Sequence, residues 1–186
     1  MRHIRTCPGY WNSRIVKFNK DGKYIDEVGT PGREKWQFGL LHHIALSASG
    51  RIFIDELCGY GGPEYYGRAN CGGTGPARAG GPNPYAARVI VLNTSLDWIE
   101  TSQPKGVFTI KGDTIYTWTQ RGVVLTDART GKDIQAIPID KPAAAHQIAV
   151  DAAGDIYLAD GNLRGQYTRA RLGSKGFIRR YSLAVQ

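Results

Sequence analysis

Histidine returns in step with a repeated stretch of this chain. Residues 42–56 (HHIALSASGRIFIDE) align without gaps on 146–160 (HQIAVDAAGDIYLAD), so His42 falls on His146, with His43 beside the first copy. Imidazole titrates near neutral pH and is the commonest metal-ligating side chain, so a histidine held at a fixed repeat position is placed to move a proton or hold a cation. An isolated histidine at the start of a strand ordinarily just hydrogen-bonds neighbouring backbone; recurrence argues for more. The cysteines point nowhere comparable. Cys7, Cys58 and Cys71 form no CxxC or CxxCH, which removes zinc-ribbon, redox and haem-attachment readings. Cys58 and Cys71 bracket a loop and either pair in an oxidising compartment or stay as two thiols.

The elements that must position these histidines are short strands. Each copy reads as a strand, a small-residue turn ending in Gly50 or Gly154, and a second strand of alternating apolar residues. A middle copy, GVFTIKGDTIYTWT at 106–119, turns at Lys111-Gly112-Asp113. Second strand pairs are expected at 14–29, turning at Asp21-Gly22, at 88–102, and at 122–139, turning at Thr130-Gly131-Lys132. With the strands of a unit labelled a to d, the order is c-d, then a-b-c-d twice, then a-b, then a last c at 177–183, with His3 to Cys7 as a strand b before the first c. Four antiparallel strands repeated as a unit is the logic of a β-propeller. The chain is therefore expected to be all-β, a single partial β-propeller over residues 1–186 with about three and a half four-stranded blades. The ring these blades would form is unfinished, which suggests a piece of a longer protein.

Composition agrees. A chain of 186 residues with 41% hydrophobic and 22% charged residues can bury a core, and 24 glycines with 10 tyrosines favour strands and turns over helices. No run of 18 uncharged apolar residues suggests a membrane span, and no apolar signal segment follows Met1. The net charge of +8 comes largely from Arg164, Arg169, Arg171, Lys175, Arg179 and Arg180, without the basic and aromatic face of a nucleic-acid module. A nucleic-acid partner is not expected.

Two insertions occupy the same b-to-c position: a Gly- and Pro-rich loop at 57–87 and a basic loop at 161–176. Long loops in compact repeats are commonly functional or disordered. Because strand direction alternates, b-to-c and d-to-a connections open on one end of a blade. His42, His43, His146 and Gly9-Tyr10-Trp11 all belong to that end, as do both insertions.

The run GYWNSRIVKFNKDGKYIDEVG at 9–29, with QFGLLHHIAL at 37–46 and AAAHQIAV at 143–150, resembles the later portion of the catalytic core of peptidylglycine alpha-amidating lyase. The resemblance covers nearly the whole chain in matching order. It implies an NHL-type propeller, six-bladed when whole, that cleaves peptidyl-alpha-hydroxyglycine to an amidated peptide and glyoxylate. It also implies zinc as cofactor, His42 and His146 as two of its ligands, Tyr10 as the catalytic tyrosine, and an extracytoplasmic setting. The family's third zinc histidine and its catalytic arginine lie in blades upstream of the matched ones. Gln147 stands where the family has an acidic residue, Leu41 and Ala145 replace prolines, and the middle blade has Lys105 at the corresponding position.

Three functional classes remain open at this point. One is a zinc-dependent lyase, completed by further blades. Another is a non-catalytic NHL propeller binding a peptide, a protein or a small ligand through the insertion-bearing face. The last is a structural subunit whose open blade edges are covered by protein partners.

Overall fold

The computed structural model describes residues 4–6, 13–32, 34–56, 87–102, 106–119, 122–138, 145–160 and 178–181. Tyr10, Cys58, Cys71 and nearly all of both insertions lie outside them. The fold is all-β. Among the described residues there is no helix, and hence none long and apolar enough to cross a membrane.

The strands form antiparallel sheets in simple sequence order, as the blades of a partial propeller do. The first sheet joins β1 (Ile4–Thr6), β2 (Ile15–Phe18) and β3 (Tyr24–Val28). A short parallel pair, β4 (Thr30–Pro31) with β5 (Gln37–Phe38), follows; nothing in the repeat announced it. The second sheet has four strands, β6 (Leu41–Leu46), β7 (Ile52–Glu56), β8 (Arg88–Leu92) and β9 (Trp98–Ser102). The third has β10 (Val107–Lys111), β11 (Thr114–Thr119), β12 (Gly122–Asp127) and β13 (Asp133–Pro138). The fourth joins β14 (Ala145–Val150), β15 (Ile156–Asp160) and β16 (Ile178–Tyr181). The strand phase read from the repeat is the observed one, including β1 as a strand b paired to β2.

The chain divides into two compact units, Met1–Leu46 with Gly50–Pro104, and Lys105–Gln186 with Ser47–Ser49. In the first, Ile15, Phe38, Leu41, Ile52, Ile54, Ile90, Leu92 and Leu96 make one core. Alternation supplies it. Ile52 and Ile54 of β7 face the same way as Ile90 and Leu92 of β8, in register, and all four are fully buried. In the second unit Tyr116, Trp118, Val123 and Leu125 pack with Ile148, Ile156 and Leu158 from the neighbouring sheet. Lys111 Nζ ties these two sheets together by donating to Asp151 O at 2.7 Å and Ala152 O at 2.9 Å.

One turn chemistry recurs. Asn19, Asn93 and Asp127, each at a c-to-d turn, accept backbone N–H groups two to four residues on through their side-chain Oδ1, and Asp151 does the same at an a-to-b turn. At three of these turns the left-handed position is a glycine, Gly22 at φ +77, Gly131 at φ +70 and Gly154 at φ +96. At the Asn93 turn it is Leu96, at φ +69 and only 4% exposed. Burial of that side chain in the core offsets a backbone cost of about 1–2 kcal/mol. Gly122 opens β12 at φ +132, and a Cβ there would collide with the Ile137 carbonyl oxygen.

Charge at the second unit's turns is acid-sensitive. Asp127 is pulled down to about 2 by the Arg129 guanidinium and by the backbone N–H groups of Thr130 and Arg129, and Asp113 is lowered by its bonds from Ser49. A carboxylate lowered by folding stabilises above its ordinary range, and that contribution fades as pH falls toward the folded value. The melting-temperature difference between wild type and Asp127→Asn is therefore expected at pH 6 and should close by about pH 2; an unchanged gap in acid would refute it. Gly122→Ala should destabilise by at least about 1 kcal/mol in urea unfolding, whereas an unaffected midpoint would mean the strands tolerate the methyl group.

Candidate functional site

His42 and His146 are each the second residue of the first strand of their sheet, β6 and β14. Both occupy a break in register. Leu41 pairs with Glu56 and His43 with Asp55, so His42 is the extra residue of a bulge; Ala145 pairs with Asp160 and Gln147 with Ala159, so His146 is the extra residue of another. The third a-to-b hairpin, β10 with β11, lacks histidine and runs in unbroken register from Val107↔Trp118 to Lys111↔Thr114. A bulge bends its strand and re-aims the side chain at the extra position. Among the a-to-b hairpins described the bulge goes with the histidine, whereas the c-to-d hairpins of β2 with β3, β8 with β9 and β12 with β13 break register without one.

The bulge also changes the expectation for His43. In a regular strand neighbouring side chains diverge, but here the alternation is broken at this pair. Burial holds His43 below its ordinary value, and the His42 charge adds to the effect.

Asp55 sits across from the bulge. Its Oδ2 lies 3.8 Å from His42 Nδ1, with the two side chains 16% and 14% exposed. Burial pushes the Asp55 carboxyl up to about 6, with the Glu56 charge adding to the rise. At 3.8 Å this is an electrostatic contact that becomes an ion pair when the imidazole is protonated, beyond hydrogen-bond distance. The repeat carries Ala159 where Asp55 stands, so this partner belongs to the first copy only.

Beside this lies a buried ion pair that sequence reasoning did not single out. Glu56 is fully buried and Arg88 is 7% exposed. Glu56 Oε2 accepts from Arg88 Nη2 at 3.1 Å and from the Gly39 backbone N–H at 3.0 Å. Arg88 Nη2 also donates to the Gln37 carbonyl at 2.6 Å, and its guanidinium lies 5.8 Å from the Trp98 ring. Trp98 in turn stacks on Phe38 and meets Trp36 edge-on. The signal was present in the sequence. Period two places Glu56 with Ile52 and Ile54, and Arg88 with Ile90 and Leu92, so two charged residues sit on the apolar face at either side of the 57–87 insertion.

Among the described residues no group of three or more His, Cys, Asp or Glu is clustered to hold a metal ion. His42, Asp55, Glu56 and Arg88 are brought together in the first unit, His146 is placed in β14 of the second, and Tyr10 lies outside the described residues. No protein-family model matches the chain.

Removing Glu56 would strand a buried guanidinium. Glu56→Ala is expected to cost about 3–5 kcal/mol in urea unfolding, and replacing both partners by Met should cost less than the two single changes summed. A cost below about 1 kcal/mol for Glu56→Ala would mean that water reaches the pair.

Proposed function

We propose that this chain is the part of an NHL-type β-propeller that supplies His42 and His146 to a zinc site, in a lyase that cleaves the carbon–nitrogen bond of a peptidyl-alpha-hydroxyglycine and releases glyoxylate. The observation that carries the reading is the shared bulge: the two histidines, and no other residue of the three a-to-b hairpins described, occupy the extra position of their strand. The donor chemistry fits in part. His42 has a carboxylate within ion-pair distance of Nδ1, and imidazole is a usual ligand of a divalent cation of the zinc type. When bound, zinc supplies a Lewis acid for the substrate hydroxyl. The resemblance assigns Tyr10 the handling of the proton.

A second reading is favoured by Ala159 and Gln147, which leave the second copy without the acidic neighbours of a strong site. In it the propeller is non-catalytic and binds a peptide, protein or small ligand on the face bearing the insertions, with a weak or relict metal site.

Metal analysis of the full-length protein separates these. The lyase reading predicts stoichiometric zinc that is lost in His42→Ala and in His146→Ala, together with glyoxylate release from an alpha-hydroxyglycine peptide. Zinc without turnover supports the second reading, and a protein that takes up no zinc would sink the first.

A further inference from the structure

The approach to β6 is short and crowded. Residues Gln37 to Leu41 run from β5 into the bulge, and within them Gly39 is buried and Gln37 half-buried. Both are held through their backbone by the Glu56–Arg88 pair: the carboxylate takes the Gly39 N–H at 3.0 Å and the guanidinium takes the Gln37 carbonyl at 2.6 Å. Leu41, Glu56 and Arg88 also form one row across β6, β7 and β8, because Glu56 is in register with each of the other two. The residue that follows Leu41 along β6 is His42.

We propose that Glu56 and Arg88 are a positioning pair, which holds the approach to β6 so that the bulge forms at His42 and aims its imidazole. The inference rests on reading His42 as a metal ligand, and it adds two residues to that site that do not touch the metal. A desolvated ion pair is a poor way to add stability, since apolar residues of equal volume do as well or better. Its value here is that charged groups anchor two backbone groups that no apolar side chain could satisfy. The acid of the pair, though not the arginine, recurs where a histidine does. Asp160 is in register with Ala145, the residue before His146, as Glu56 is with Leu41. In the hairpin without histidine and without a bulge, β11 ends in Thr119.

The test uses the full chain with 15N-labelled histidine, as wild type, Glu56→Gln, Arg88→Lys and His42→Ala. Urea unfolding identifies the variants that stay folded, and Arg88→Lys, which keeps the charge, is the milder of the two. In metal-free protein, long-range 1H–15N imidazole spectra should show His42 in one fixed tautomer and rotamer in wild type, and averaged in both pair variants. Zinc affinity should fall about 10–100-fold in Glu56→Gln. His42 spectra and zinc affinity unchanged in a folded Glu56→Gln or Arg88→Lys protein would overturn the proposal. If His42→Ala leaves zinc affinity at the wild-type level, the metal reading fails instead, and the imidazole spectra alone decide whether the pair positions this ring.

Discussion

The local structure around His42 depends on one buried ion pair. Glu56 and Arg88 close the row at which β6, β7 and β8 meet, immediately on either side of the 57–87 insertion, and they bind the backbone that leads into β6. That backbone runs beside an apolar core that includes Phe38, Leu41 and Ile54, and its Gly39 N–H and Gln37 carbonyl both bond to the pair. The pair satisfies both, and Trp98 covers the guanidinium from the other side. The register at the base of the insertion is set by the residues that precede and follow it, Glu56 and Arg88.

What the bulge adds is direction. A straight β6 would alternate His42 and His43 to opposite faces, and the recurrence of histidine would carry no geometric meaning beyond that. With the extra residue at His42 and again at His146, the repeat preserves a local distortion as well as a residue type. A bulge bends its strand and re-aims the side chain it carries. Asp55 is a consequence of the same geometry, since it faces the bulge from β7 and lies within ion-pair distance of Nδ1.

Much of this was legible in the sequence. Period-two apolar runs and Gly-containing turns gave the strands, and their order gave the phase of the blades, including the strand b at Ile4–Thr6. The parallel pair of β4 and β5 was not legible, because two residues in each strand carry no periodicity and the pairing is set by the backbone around Trp36, itself held at φ +68. Nor was the bulge, which is a register relation between two strands and leaves no mark in either one. Glu56 and Arg88 were readable in principle as charges on an apolar face. They were passed over because each stands at the end of its strand, where alternation is usually allowed to lapse. Asp55 could not be assigned to His42 without the bulge, since regular pairing gives it to His43.

The proposal that His42 and His146 are zinc ligands is tested most directly by X-ray absorption at the zinc edge of the metal-loaded full-length protein. The account predicts a first shell of nitrogen and oxygen donors at about 2.0–2.1 Å with outer-shell scattering from at least two imidazoles, falling by one imidazole in His42→Ala. A shell containing sulfur at about 2.3 Å, or oxygen donors without imidazole scattering, would place the metal elsewhere and contradict it.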